Sequence, residues 1–518
     1  MIDFLLEHAN LKPVSWHMPG HKGSEIFRRY GYGAFLDRFV DCDITEIPGA
    51  DNLFQTEGII KNVQDRYARL YDVDHSYLMI NGTSGGILAA MMAAVPSGGR
   101  IIMARNCHKA VFNGLVLGGI QPVYAYPSVL EDCDISGPIL PEEIERLLEE
   151  HPDAGAVILP SPNYYGICSD IRAIADIVHA HGKVLIVDQA HGAHLKFFHK
   201  YGCGEGLPNS AEMDGADITI CSIHKTLASL TQSAVLNLQG GRVDRYVLED
   251  KIQAVESTSP SYILMSFLDI NARILEEHGP EVMGEWKENL EYFYAKAGQV
   301  QGLRILEAQM DRTKINLDMS ACGIDGARLE ELLMEYGIFP ELYTGNILML
   351  MSGIGNTRQH YDRTLEALQD IALKHKGKES QAQDSAETES PAASQVPESL
   401  GQPTAVPAFA ASQTPAPPKS EATPQNAATP GPQAVRGLMG IAAGKLHPIP
   451  KRRRFVDLED AEGLVCAGSI IPYPPGIPIV CPGEEITAEV ILRCRQLRDK
   501  GEKVIGINDQ GQVQVGAE

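Results

Sequence analysis

GAVILPSPNYYGICSDIRAIADIVHAHGKVLIVD, residues 155–188, decides the fold. Its two ends, GAVILP and KVLIVD, are short, β-branched, apolar and bounded by Gly or Pro, which predicts strands. Between them SDIRAIADIVHAHG predicts a helix. Ser169 or Asp170 caps its start, Ile171, Ile174, Ile177 and Val178 form the inner stripe, and Gly182 stops it. Strand, helix and strand at this spacing make a βαβ unit, so the sheet is expected to be largely parallel with helices on both faces.

The same alternation extends outward. SYLMI, RIIMA and PVYAY precede the unit and ADITICS follows it, so an α/β domain is expected from Tyr77 to Asn237. Residues 251–376 mix a helical pattern (ARLEELLMEYG) with a strand (ILMLMSGIG) and predict a smaller α+β lobe. Residues 377–435 are Ser, Ala, Pro, Gln, Thr and Glu with hardly any large apolar side chain, and are expected to be a disordered linker. Order is expected to resume over residues 436–518, with a helix at EVILRCRQLRDKG and a hairpin at KVIGINDQGQVQV. KRRR, residues 451–454, is taken as a solvated patch rather than a nucleic-acid signal. The organisation expected is residues 1–250, 251–376, the linker at 377–435, and 436–518.

At 518 residues, 44% apolar and 21% charged, the chain has the balance of a globular protein with a large core. A formal net charge of -23 argues against a general nucleic-acid binder and tolerates a cationic ligand. The ten cysteines are scattered without a CxxC pair, which suits reduced thiols in a cytoplasm. The N-terminal run MIDFLLEHANLKPVSWH has acidic residues in its short apolar stretch and does not read as a signal peptide. No apolar run approaches the roughly 20 residues needed to cross a bilayer.

Four strand-end patterns carry chemistry. NGTSGG (Asn81 to Gly86) opens a helix, where small residues expose backbone N–H groups to a phosphate, and Thr83 and Ser84 add hydroxyls; an ordinary Gly-rich turn is the plain alternative. NCHK places His108 where an imidazole can stack on an aromatic ring, or simply be a polar loop residue. VLIVDQAHGAH ends a buried strand on Asp188, which is costly without a cation. The His191 and His194 pair, with His179, His181 and His199 nearby, raises a zinc alternative. It follows a strand and lacks an HExxH pattern, so no metal is expected. ADITICSIHKTLASLTQS sets Lys225 directly after a buried strand, flanked by Ser222 and His224. Partial desolvation there lowers the lysine pKa and frees its amine for Schiff-base chemistry; a surface lysine at a helix start is the alternative.

Cradle, ring-stacking histidine, strand-end aspartate and strand-end lysine, in that order, resemble the fold-type-I family of pyridoxal-phosphate enzymes. HMPGHKG, DITEIPGADNL, NGTSGG, RNCHK, VDQAHGAH, SIHKTLASLTQS, STSPSYILMSFLD and YPPGIPIVCPGE narrow the resemblance to the ornithine/lysine/arginine decarboxylases, in their short bacterial branch. The resemblance implies an aspartate-aminotransferase-like large domain and pyridoxal 5'-phosphate (PLP) as cofactor. It implies Lys225 as its covalent attachment, Asp188 at the pyridinium nitrogen, His108 on the ring and His191 near the phenolic oxygen. Thr83, Ser84, Ser222 and His224 would hold the phosphate. Ser257 or Thr258 would reach the phosphate of a neighbouring subunit, making a homodimer or higher oligomer with shared sites. Glu462 and Glu484 would face the distal cation of a basic amino acid, arginine first, lysine or ornithine otherwise. An aminotransferase, a regulator that has lost catalysis and a scaffold using the linker are the competing readings.

Overall fold

The computed structural model describes residues 1–130, 133, 135–375, 444–472, 477–499 and 501–517. The expected linker lies outside them, as do residues 473–476 of the YPPGIP stretch.

Seven strands form the central sheet: β1 (His75–Met79), β2 (Arg100–Ala104), β3 (Gln121–Ala125), β4 (Ala154–Pro160), β5 (Val184–Asp188), β6 (Ile218–Cys221) and β7 (Ala234–Leu238). They lie in the order β1-β7-β6-β5-β4-β2-β3. All neighbours are parallel except β7, which is antiparallel to both β1 and β6. All five residues of β5 are buried, as a strand covered on both faces requires. Each such apolar side chain stabilises the fold by about 1.5–3 kcal/mol. β7 is a strand the sequence reading did not separate from its surroundings: AVLNL has no alternation to announce it, and all its residues are buried.

Among the connections are the helices α1 (Gly82–Ala94), α2 (Lys109–Gly118) and α3 (Ile171–Ala180). α3 is the predicted helix of the βαβ unit. Asp170 caps it by accepting from the Ala173 N–H at 3.0 Å, while the Ser169 hydroxyl accepts from Ile139 N–H instead. Gly86 on α1 allows a close approach to the sheet, since a Cβ there would lie 2.9 Å from Ile220 Cγ2.

Beyond the sheet runs α4 (Tyr262–Ala297), a 36-residue helix that contains Pro280. The proline and Gly279 hide its continuity from a sequence reading. It shares a core with a four-stranded antiparallel sheet ordered Arg304–Ile305, Lys314–Asp318, Ile347–Met351, Leu342–Thr344. The N-terminal segment packs there as well: Val14–Ser15 pairs in parallel with Ile338–Phe339, and Trp16 is fully buried.

In the C-terminal part, α5 (Ala488–Asp499) is the expected helix. The expected hairpin forms at its tip only, where Ile507 bridges antiparallel to Val513 and Asn508 N–H donates to Gln512 O at 3.0 Å. The Asn508 turn forms, but Gln512–Gly516 pairs with Arg453–Asp457, and Val504–Ile505 pairs with Ile471–Pro472. Each arm finds a distant partner because Val504, Val513 and Val515 are buried in one local core. Arg453 and Arg454 of the basic run are exposed strand residues. Among the described residues no helix is long and apolar enough to cross a membrane.

Candidate functional site

Parallel pairing aligns the ends of the strands. Pro160 faces Asp188 and Asp188 faces Ile220, so the residues after β4, β5 and β6 emerge at one edge, where ligand sites of such sheets form. A cavity at this edge is lined by Thr83, His108, Asp188, His191 and Lys225, all foreseen from sequence. Asn106, Tyr164 and Ile477 also line it and were not foreseen. Asn106 falls within NCHK, and Ile477 within the YPPGIP stretch that resembles the family's active-site rim. Tyr164 follows the end of β4 in SPNYYG, a signal that position alone could have supplied.

Lys225 sits on the one-turn helix Ile223–Thr226 directly after β6. Its Nζ is 2.8 Å from His191 Nε2. Burial brings the ammonium pKa down to about 8, with Asp188 opposing the shift. The same burial pushes the Asp188 carboxyl up, against the pull of Lys225; Oδ1 accepts from Ala190 N–H at 3.1 Å. His108 caps α2 by accepting from Ala110 N–H at its Nδ1. Burial and Lys225 bring its pKa down to about 4, so the ring is neutral. His191 is held well below its ordinary value by burial and by Lys225, and its ring lies 4.5 Å from that of Tyr164. Two buried polar atoms at the cavity, His191 Nδ1 and Asn106 Oδ1, have no hydrogen-bond partner.

The cradle is assembled by packing. Thr83 in the first turn of α1 brings its Oγ1 to 3.2 Å from Ser222 Oγ. His224 donates from Nδ1 to Ser233 O at 2.9 Å, and burial lowers its pKa to about 4. Glu256, missed by the sequence reading, accepts from Asn81 N–H just before α1, and burial pushes its carboxyl up to about 7.

HMPGHKG acquires a reason here. Gly20 N–H donates to His224 O at 2.7 Å and Gly20 O accepts from Gly355 N–H at 3.0 Å. A Cβ on Gly20 would lie 2.4 Å from the Thr226 carbonyl carbon. Only a glycine lets this loop lie between the lysine-bearing turn and the smaller sheet's loop.

Behind the cavity is a second set of charges. His194 contacts Thr226 Oγ1 through Nδ1 at 3.1 Å and Asp311 through Nε2 at 3.1 Å. Asp311 Oδ2 also meets Lys314 Nζ at 2.7 Å, and Lys314 donates to His191 O. His194, Asp311 and Lys314 are fully buried. His191 meets Lys225, and His194 meets Thr226 and Asp311. Among the described residues no cluster of three or more His, Cys, Asp or Glu side chains could hold a metal ion.

Four predicted residues stand elsewhere in this chain. Ser84, Ser257 and Thr258 are exposed and do not line the cavity, and Glu462 is exposed on a C-terminal turn. Glu484 also lies off the cavity lining, with 1% of its surface exposed. Its carboxylate is engaged by Arg105, Tyr124 and the Cys481 N–H.

Two family models match: Orn/Lys/Arg decarboxylase, major domain, over residues 1–296, and Orn/Lys/Arg decarboxylase, C-terminal domain, over residues 439–507. An arginine decarboxylase of Halalkalibacterium halodurans is 30% identical over 516 residues, covering 98% of this chain and 94% of the relative. A lysine decarboxylase structure from Francisella novicida matches with a TM-score of 0.69 at 18% identity, over 96% of this chain and 78% of that one. An SPT with PLP matches with a TM-score of 0.54 at 13% identity, over 70% of this chain and 87% of that one. At these identities the two structures speak for the fold.

Proposed function

The chain belongs to the Orn/Lys/Arg decarboxylase family, and from that premise we propose that it converts arginine to agmatine and CO2 with PLP held at the strand-end cavity. The observation that carries the reading is the convergence of Lys225, Asp188, His108 and His191 on one cavity from separate strand ends. Arginine is preferred because a relative matched along nearly its whole length is an arginine decarboxylase.

The residues fit the cofactor. Asp188 is a buried carboxylate that lacks a directly bonded cation, and a pyridinium nitrogen is one. The orphan His191 Nδ1 and Asn106 Oδ1 supply unmet polar groups. Thr83, Ser222, His224 and the first-turn N–H groups of α1 would hold the phosphate, with Ser84 at the rim. Bound PLP supplies an electron sink for the pair left behind when the carbon–carboxylate bond breaks.

The protein's part follows from its own groups. A pKa of about 8 leaves about a tenth of Lys225 as free amine at pH 7, able to attack a carbonyl carbon. His108, neutral and fixed as a helix cap, offers a flat face for stacking without adding a positive charge. Lys225 Nζ and His191 Nε2, in hydrogen-bond contact, hold the proton that the α-carbon needs once CO2 has left. No arginine lines the cavity among the described residues, which supports release of a substrate carboxylate over the clamping that transamination uses.

Ser257 and Thr258, exposed in one chain, would complete the phosphate site of a second copy, so the working unit is a homodimer with shared sites. All ten cysteines are free, which supports a cytoplasmic setting. The deciding experiment incubates the PLP-loaded enzyme separately with arginine, lysine and ornithine and identifies the product. Agmatine with CO2 is expected. Cadaverine or putrescine as the main amine would overturn arginine, and a keto acid in place of an amine would overturn decarboxylation.

A further inference from the structure

Glu484 and the residues that engage it form a structure of their own. Glu484 Oε1 accepts from Tyr124 OH at 2.6 Å, and Oε2 accepts from Cys481 N–H at 2.9 Å and Arg105 Nη2 at 3.2 Å. Arg105, 4% exposed, also donates from Nη1 to Pro478 O and from Nη2 to Ile479 O, each at 2.8 Å. Its guanidinium lies against the rings of Phe112 and Tyr124, 5.2 and 5.3 Å from their centroids. The planar fork is therefore held by two carbonyls, one carboxylate and two aromatic rings, which leaves it a single orientation.

Each end of this pair reaches the cavity through the chain. Arg105 follows β2 directly and precedes Asn106 and His108, both of which line the cavity. The carbonyls it binds, Pro478 and Ile479, follow Ile477, the C-terminal residue in the lining. We propose that Arg105 and Glu484 form a positioning lock that seats Ile477 as an apolar wall of the substrate cavity, against the methylene chain of a linear basic amino acid. The inference rests on the decarboxylase reading for its substrate, while the lock itself is independent of it. An ion pair suits this task because neither partner tolerates loss of the other in a buried site, so the wall has one seated position.

The test uses the full-length, PLP-loaded protein and its Glu484→Gln, Arg105→Lys, double and Ile477→Ala variants, with arginine as substrate. Loss of one wall contact is expected to raise KM roughly tenfold in Ile477→Ala, with kcat lowered less than KM is raised. Glu484→Gln and Arg105→Lys should each show the same split, and the double variant should be no worse than the poorer single, because both break one device. Hydrogen–deuterium exchange over residues 477–484 should rise in both lock variants and stay at the wild-type level in Ile477→Ala. That measurement reads the lock even if arginine proves not to be the substrate. An unchanged KM in Ile477→Ala would overturn the wall. Additive effects in the double variant, or unchanged exchange in a folded Arg105→Lys protein, would overturn the lock. A direct contact between Glu484 and substrate would instead show as Glu484→Gln losing its preference for arginine over uncharged citrulline while Arg105→Lys keeps its KM, and that outcome also overturns the proposal.

Discussion

Asp188 and Asp311 are both aspartates with almost no exposed surface, and their surroundings drive their protons in opposite directions. Asp311 is buried too, which by itself would raise its pKa, but His194 and Lys314 hold its carboxyl well below the ordinary range. Every partner in that set is in contact within the one chain. Asp188 is pushed up, with one backbone N–H bonded to it and Lys225 acting on it only as a nearby charge. A buried charge whose counter-charges are all in contact fits a structural role; one that burial pushes up without a bonded counter-charge is where we propose the cofactor nitrogen. The two sets touch at Thr226 and at His191 O, so the satisfied network holds the backbone of the unsatisfied one.

The largest loss of activity is expected at the centre of the cavity. Lys225→Ala removes the attacking amine, and turnover should fall on the order of 10⁴-fold or more. The visible absorbance of the purified protein should be lost or displaced with it; an unchanged spectrum would end the assignment of Lys225. Mixed with Ser257→Ala/Thr258→Ala chains, the dead variant should regain some activity, and confirmed hybrids without any gain would remove the shared site.

Replacing each aspartate with asparagine is expected to have opposite consequences. Asp311→Asn leaves Lys314 buried without its counter-charge and should lose about 3–5 kcal/mol of stability, read from the denaturant midpoint. Asp188→Asn should stay within about 1 kcal/mol of wild type, because it removes a carboxylate already opposed by burial. Its decarboxylation should nevertheless slow more than roughly tenfold, since a neutral amide cannot balance a pyridinium. A destabilised Asp188→Asn or a stable Asp311→Asn would reverse the distinction.

A graded effect is expected in the pH dependence of the cofactor-free protein. The Lys225 pKa is depressed to about 8 from 10.5, so across that window the unfolded chain binds the extra proton. Stability contributed by this site is therefore least below pH 8 and rises with pH through the window, by at most about 1.4 kcal/mol per unit. Lys225→Met should flatten that rise relative to wild type in urea titrations at several pH values. An identical slope would place Lys225 in contact with water.

What could be read early was what repeats locally. The βαβ unit, its Asp170 cap and the strand ends at Asp188 and Lys225 follow from periodicity and from residues adjacent in the chain. β7 escaped because a strand buried on both faces has no alternation, and α4 because Pro280 falsely signals an end. The C-terminal hairpin holds only at its tip for a related reason: the turn and the Ile507–Val513 bridge are local features, whereas the outer arms pair according to which core buries their valines.

The amino-acid sequence by itself determined the α/β class, the decarboxylase family and the residue types at the cavity, because strand pattern and short motifs are properties of neighbouring residues. Only the tertiary structure decided which charges have partners. His191 meets a lysine 34 positions away, His194 an aspartate 117 away, and Glu484 an arginine 379 away. No motif spans such separations; the packing of β2, β5, β6 and the C-terminal residues sets these distances, and burial then turns each contact into a satisfied pair or an unmet need.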